Sequence, residues 1–171
     1  VEWSFAEETD ILDLVEKLYT DLFQSLRPEL AVVKPFPRMS YQEAVRRFGS
    51  DKPDLRFGLE LVDFSEVLRQ SEFQVFRQTI NAGGVARGLC VPGGAAFTRK
   101  QTDDLTTFVQ QYGAKGLVSL AYLGEGSLDS LTTEEVRSPV AKYITVEQAR
   151  QMARLADAKR GDMLLIVADK P

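Results

Sequence analysis

The sequence predicts an α+β fold. Three observations carry the prediction: capping boxes at Ser40, Thr98 and Thr145, each opening a run with helical spacing; apolar runs of strand length at 85–91, 117–123 and 163–167; and an irregular interleaving of the two, without an internal repeat. The chain has 171 residues, 44% hydrophobic and 27% charged, which suits one compact domain or one and a half small ones.

The elements follow in order. Val1 to Phe5 alternate apolar and polar residues and read as the tail of a strand. Ile11, Leu14, Val15, Leu18 and Leu22 recur at helical spacing, with Thr9 or Asp10 available as a cap, and predict a helix of about 17 residues with a wide apolar face. Pro28, Pro35 and Pro37 end it and hold the next stretch extended. Ser40 and Glu43 box a short helix carrying Ala44, Val45 and Phe48, and Gly49 stops it. Residues 50–56 are polar around Pro53 and read as an ordered loop. A strand is expected over 57–62, a short helix over 64–69 and a strand over 73–76. Asn81 to Gly84 turn into the apolar strand 85–91, which Pro92-Gly93-Gly94 ends. Thr98 and Gln101 box a helix through Leu105, Phe108, Val109 and Tyr112, with Gly113 as its stop. A strand over 117–123, a loop over 124–137 and an extended stretch over 138–144 come next. Thr145 and Gln148 box the last helix, and the continuous apolar run 163–167 reads as a strand buried on both faces.

Composition removes several chemistries. There is no histidine and a single cysteine, which excludes Ser-His-Asp and Cys-His pairs, zinc clusters and disulfides within the chain. No run approaches a membrane span and no signal peptide is recognisable, so an intracellular, cytoplasmic protein without membrane association is expected. Net charge is −4, and it is uneven: residues 1–60 carry eight Lys/Arg against twelve Asp/Glu, while 61–171 carry thirteen of each. Neither part has the basic excess that grips nucleic acid by bulk electrostatics, although Arg99-Lys100 and Lys159-Arg160 can touch phosphates or simply be solvated helix ends.

A search for reactive constellations returns little. Gly83-Gly84 and Gly93-Gly94 lack the context of a phosphate loop and read as turns. Asp103-Asp104 and Glu134-Glu135 are sequence neighbours and do not converge on one site, so surface charge is the expected role. Cys90, inside an apolar strand, is expected to keep its proton. Asp51, Lys52, Asp54 and Arg56 form the densest polar cluster; they either pair to pin two segments together or meet a partner. No catalytic residue and no metal ligand is assigned.

Several runs resemble the bacterial-type aspartyl-tRNA synthetases: Phe36 to Ala44, Phe48 to Arg56 (FGSDKPDLR), Val91 to Gln101, Tyr112 to Leu117 and Ser138 to Tyr143, all in the family's order. The resemblance implies a segment of a longer class II enzyme that activates aspartate with ATP and Mg²⁺ and charges tRNA-Asp. It divides the chain into 1–60, part of the catalytic domain after the second class motif; 61–161, an inserted α+β domain of GAD type with a mixed or antiparallel sheet flanked by helices; and 162–171, a strand returning to the catalytic sheet. It places Glu2 near the aspartyl-adenylate pocket, while the family's other ATP-site motifs have no counterpart here, so the segment alone is expected to be inactive and to bind no cofactor. A tRNA contact through Arg99 and Lys100, or a purely structural brace, are the alternatives for the insert. The family implies a homodimeric parent, and the segment is expected to be monomeric.

Overall fold

The structure, a computed structural model, describes residues 2–170 and divides into two compact units, 1–40 and 41–171. The first is built on α1 (Glu8–Leu26). Its start lies earlier than expected: Glu7 is the cap, and the Asp10 carboxylate accepts the Glu7 N–H at 3.0 Å instead of capping the helix itself. The apolar stripe is present as the spacing predicts, yet Ile11, Leu14, Val15, Leu18 and Leu22 remain exposed. The proline-containing stretch after it returns Arg38 to Asp13 and to Glu16, the latter at 3.6 Å. The strand expected at the start does not form over residues 2–5, and Val1 lies outside the described residues. Alternation marks a face but a strand needs a partner ladder, and Phe5 leaves the extended region at φ 61°.

The second unit opens with α2 (Tyr41–Phe48), which begins immediately after Ser40 and ends at Gly49, whose φ of 70° few side chains adopt. Arg47 at its last turn binds Glu60 through two donors, at 2.6 and 2.8 Å, and its carbonyl accepts the Leu61 N–H at 2.6 Å. The strand expected over 57–62 shrinks to β1 (Val62–Asp63), because Leu55–Phe57 form a 3₁₀ turn and Gly58 turns left-handed at φ 62°.

α3 (Ser65–Leu68) follows, and then the expected strand over 73–76 is instead the start of α4 (Gln74–Asn81). A four-residue apolar run fits either period; here the helix wins because Phe76 and Ile80, four apart, are both buried, and because the Ser71 hydroxyl accepts the Phe73 N–H at 3.1 Å at the helix entry.

β2 (Val85–Val91), α5 (Arg99–Gln111), β3 (Val118–Tyr122), α6 (Val146–Leu155) and β5 (Met163–Asp169) occupy the predicted positions. The loop before 138 contains β4 (Val136–Arg137), and the stretch expected to be extended holds a 3₁₀ turn at Ala141–Tyr143. Pro139 cannot donate to a ladder, and the turn lets Val140 and Ile144 both reach the core.

The sheet is antiparallel throughout with the order β1-β2-β5-β3-β4. β5 pairs with β2 from Val85↔Asp169 to Val91↔Met163 and with β3 from Val118↔Ile166 to Ala121↔Met163. The segment expected to return to another sheet therefore supplies the middle strand of this one, over Met163–Asp169. The run 163–167 is apolar because it is central, which is a property of position and not of sheet membership. Ala86, Leu120, Tyr122, Leu164 and Ile166 turn to one face, where Leu68, Phe76, Ile80, Ala149, Met152 and Ala153 of α3, α4 and α6 cover them. The buried Tyr122 hydroxyl donates to the Ala149 carbonyl at 2.8 Å, so this polar atom of the layer is satisfied. On the opposite face α5 leaves an apolar groove of about 490 Å³ between Phe108 and Val109 and the side chains of Leu89 and Leu165. Among the described residues no helix is long and apolar enough to cross a membrane.

Candidate functional site

The start of α5 is fixed by its capping box. The Thr98 hydroxyl accepts the Gln101 N–H at 3.3 Å, and the Gln101 side-chain oxygen accepts the Thr98 N–H at 2.8 Å. This geometry sets Arg99 and Thr102 along one wall of a cleft of about 670 Å³. Its floor is Ala121 and Met163, both buried and paired across β3 and β5, with Ser119 beside them. The other wall is Arg137 and Ser138, brought there because Arg137 pairs with Ala121 in the β3–β4 ladder. Arg137 Nη2 donates to the carbonyls of Ala95 and Phe97, which fixes the guanidinium over the turn leading into α5.

Two guanidiniums from separate elements thus flank an apolar floor, with Asp103 as the one carboxylate in the lining. Arg99 lies 3.8 Å from Asp103, but its side chain is 94% exposed and a pair so solvated contributes almost nothing to stability. Lys100 is exposed on the same helical turn and does not line the cleft. Arg137, Ser119 and Phe97 escaped the sequence reading, because their convergence depends on the pairing of 121 with 137, which no local pattern encodes.

The other expected residues are dispersed. Glu2 is exposed in irregular chain. Asp54 and Arg56 pair with one another inside their own loop, Arg56 Nε donating to Asp54 at 2.8 Å, and the Arg56 guanidinium holds the Asp54 carboxyl down to about 2. Asp51 and Lys52 are exposed, and the cluster pins no second segment among the described residues; Arg47 and Glu60 make that link instead. Lys159 is exposed as expected of a helix end, but Arg160 is not. The Arg160 side chain is 6% exposed and pairs with Glu135 at 3.1 Å.

Cys90 lies 3.9 Å from Asp162, whose carboxylate also accepts the N–H groups of Gly93 and Lys159 at 2.8 and 2.7 Å. Burial first, and then the Asp162 charge, push the thiol up to about 11. Alkylation by iodoacetamide at pH 8 is therefore expected to run about a hundredfold slower in the folded chain than in urea, since only the thiolate reacts. Equal rates would show that the thiol is unprotected.

Fold and cleft together define an α+β module, an antiparallel sheet layered with helices and carrying a cationic cleft at one end. A family model for the GAD domain matches residues 76–171, and the chain belongs to that family. Over its full length it is 43% identical to the aspartate--tRNA(Asp/Asn) ligase of Natranaerobius thermophilus, of which it covers 28%. Over 99% of its length it is 45% identical to the enzyme of the same name from Caldanaerobacter subterraneus subsp. tengcongensis and 44% identical to the aspartate--tRNA ligase of Clostridium botulinum, covering 27% of each. These matches bear out the resemblance to aspartyl-tRNA synthetases. The chain spans just over a quarter of the length of these curated relatives.

Proposed function

We propose that this chain is the GAD-bearing segment of a longer enzyme that activates aspartate with ATP and joins it to tRNA, and that the segment by itself is catalytically silent. The observation that carries the reading is the unbroken similarity, over the whole chain, to proteins named aspartate--tRNA ligases. In this reading residues 1–60 come from the catalytic domain, the inserted domain runs from 61 through β5, and the parent is a cytoplasmic homodimer while the segment is a monomer. ATP and Mg²⁺ are reagents of the longer enzyme. Among the described residues no group of three carboxylates or thiols is placed to hold a metal ion, and no step is assigned to a residue of this chain.

The test is aspartate-dependent ATP–pyrophosphate exchange. The longer enzyme is expected to turn over and the 171-residue chain to stay at background. Clear exchange by the chain would overturn its silence, and failure of the longer enzyme to charge tRNA with aspartate would overturn the parental assignment. A role for the GAD unit in touching tRNA is favoured by one further observation, the exposed Arg99 and Lys100 beside a cleft whose far wall is Arg137.

A further inference from the structure

We propose that the cleft between the start of α5 and the β3–β4 edge is a binding site for one unpaired ribonucleotide of an RNA strand, its phosphate held by Arg99 and Arg137 and its base laid against Phe97. The proposal rests on the reading of the parent as a tRNA ligase and names what part of an RNA the GAD unit would take.

Four features point to this chemistry. A cleft of about 670 Å³ lies in the usual range of small-ligand sites, about 300–1,000 Å³, and is concave, whereas a duplex offers its phosphates on a convex ridge and cannot bring a base into it. The half-buried Phe97 offers an aromatic surface for an unstacked base. Ser119 is half-buried in the lining with its hydroxyl unpartnered among the described residues, available to the polar edge of a base or to a ribose 2′-hydroxyl. Arg137 is immobilised through Nη2 alone, which leaves Nη1 and Nε of a pre-oriented guanidinium for an anion. The capping box takes up the amides of Thr98 and Gln101, and the two arginines supply the formal positive charge of the lining. Thirteen basic against thirteen acidic residues over 61–171 rule out a generally cationic surface as the source of affinity, which favours a local pocket over tracking along a backbone.

The test is an amide chemical-shift titration of the ¹⁵N-labelled chain with a single-stranded RNA tetranucleotide, with AMP and with an RNA duplex. The tetranucleotide is expected to shift Phe97–Thr102, Ser119 and Arg137–Ser138. Arg99→Ala, at a 94% exposed side chain that the fold does not need, is expected to weaken binding about tenfold and to reduce the salt slope by about 0.7. Asp103→Asn, which removes the one carboxylate of the lining, is expected to tighten it. Equal affinity for AMP would make this a free-nucleotide site, equal affinity for duplex would make it a backbone contact, and absent shifts or an unaffected Arg99→Ala would remove the site; each overturns the proposal. Charging by the longer enzyme is read separately, so a failed titration beside an active enzyme sinks the cleft and leaves the parental reading standing.

Discussion

Replacing Gly88 with alanine is expected to cost about 3 kcal/mol and to lower the melting temperature of the second unit by about 6–12 °C. A Cβ at this position would stand 2.2 Å from the Leu165 carbonyl oxygen and 3.0 Å from the Ile166 Cα, both backbone atoms of β5. A flexible side chain could swing away; a carbonyl in the middle of a ladder cannot without breaking its own hydrogen bond. β2 and β5 pair over their whole lengths, and β5 also carries β3, so a displacement at 88 is transmitted to both neighbours of the central strand. For a domain stable by about 5–15 kcal/mol, a loss of this size is a large fraction of the whole. The measurement is far-ultraviolet circular dichroism on heating. Backbone dichroism is chosen because the sole tryptophan, Trp3, belongs to the first unit. Gly116→Ala is the control: nothing lies within 4 Å of its Cβ position, and a change within about 0.5 kcal/mol is expected. A Gly88→Ala variant that melts with the wild type would mean that β2 and β5 are not packed this closely.

That glycine shows where sequence reading stops. Helices with a complete local code were legible: Thr98 and Gln101, or Thr145 and Gln148, announce α5 and α6 because both partners of the box lie within one turn. Strands 85–91 and 163–167 were legible because they are apolar, long enough and bounded by glycine. Gly88 itself carries no such mark, since its demand comes from a carbonyl 77 positions away. The same holds for 73–76, where period two and period 3.6 share the same apolar residues and the choice is made by what Phe76 and Ile80 meet. It holds again for the cleft. Arg99 could be singled out as a cation at a helix start, but Arg137 becomes its opposite only through the β3–β4 register. Arg160 was misjudged for a related reason, because a Lys-Arg pair after a helix is the ordinary composition of a solvated end and nothing nearby signals that one of the two turns inward.

Arg160→Met is the second large effect, with an expected cost of about 2–3 kcal/mol, or about 4–12 °C in melting temperature. The Arg160 guanidinium faces Glu135 at 3.1 Å and also donates to the carbonyls of Leu123 and Ser127, so it joins the turn after β3 to the turn before β4. Removing one member of a fully buried pair costs about 3–5 kcal/mol; the figure here is lower because Glu135 is 32% exposed and water can serve its carboxylate once the guanidinium is gone. The variant also brings a pH signature. The Thr132 amide, and after it the Arg160 guanidinium and the Thr132 hydroxyl, hold the Glu135 carboxyl below its ordinary 4.5 against partial burial. A depressed carboxylate stabilises the fold above the unfolded value and loses that contribution as pH falls through the folded one. Stability of the wild type should therefore decline with acid below about pH 4.5, and the decline should be shallower in Arg160→Met, which gives up part of what depresses Glu135. Adding Glu135→Leu to Arg160→Met should recover only part of the loss, because the Thr132 N–H then goes without its 2.8 Å acceptor. Chemical denaturation of the three proteins between pH 3 and 7 separates these terms. An Arg160→Met variant as stable as the wild type at pH 7, with an unchanged acid limb, would show that the guanidinium is not engaged by Glu135.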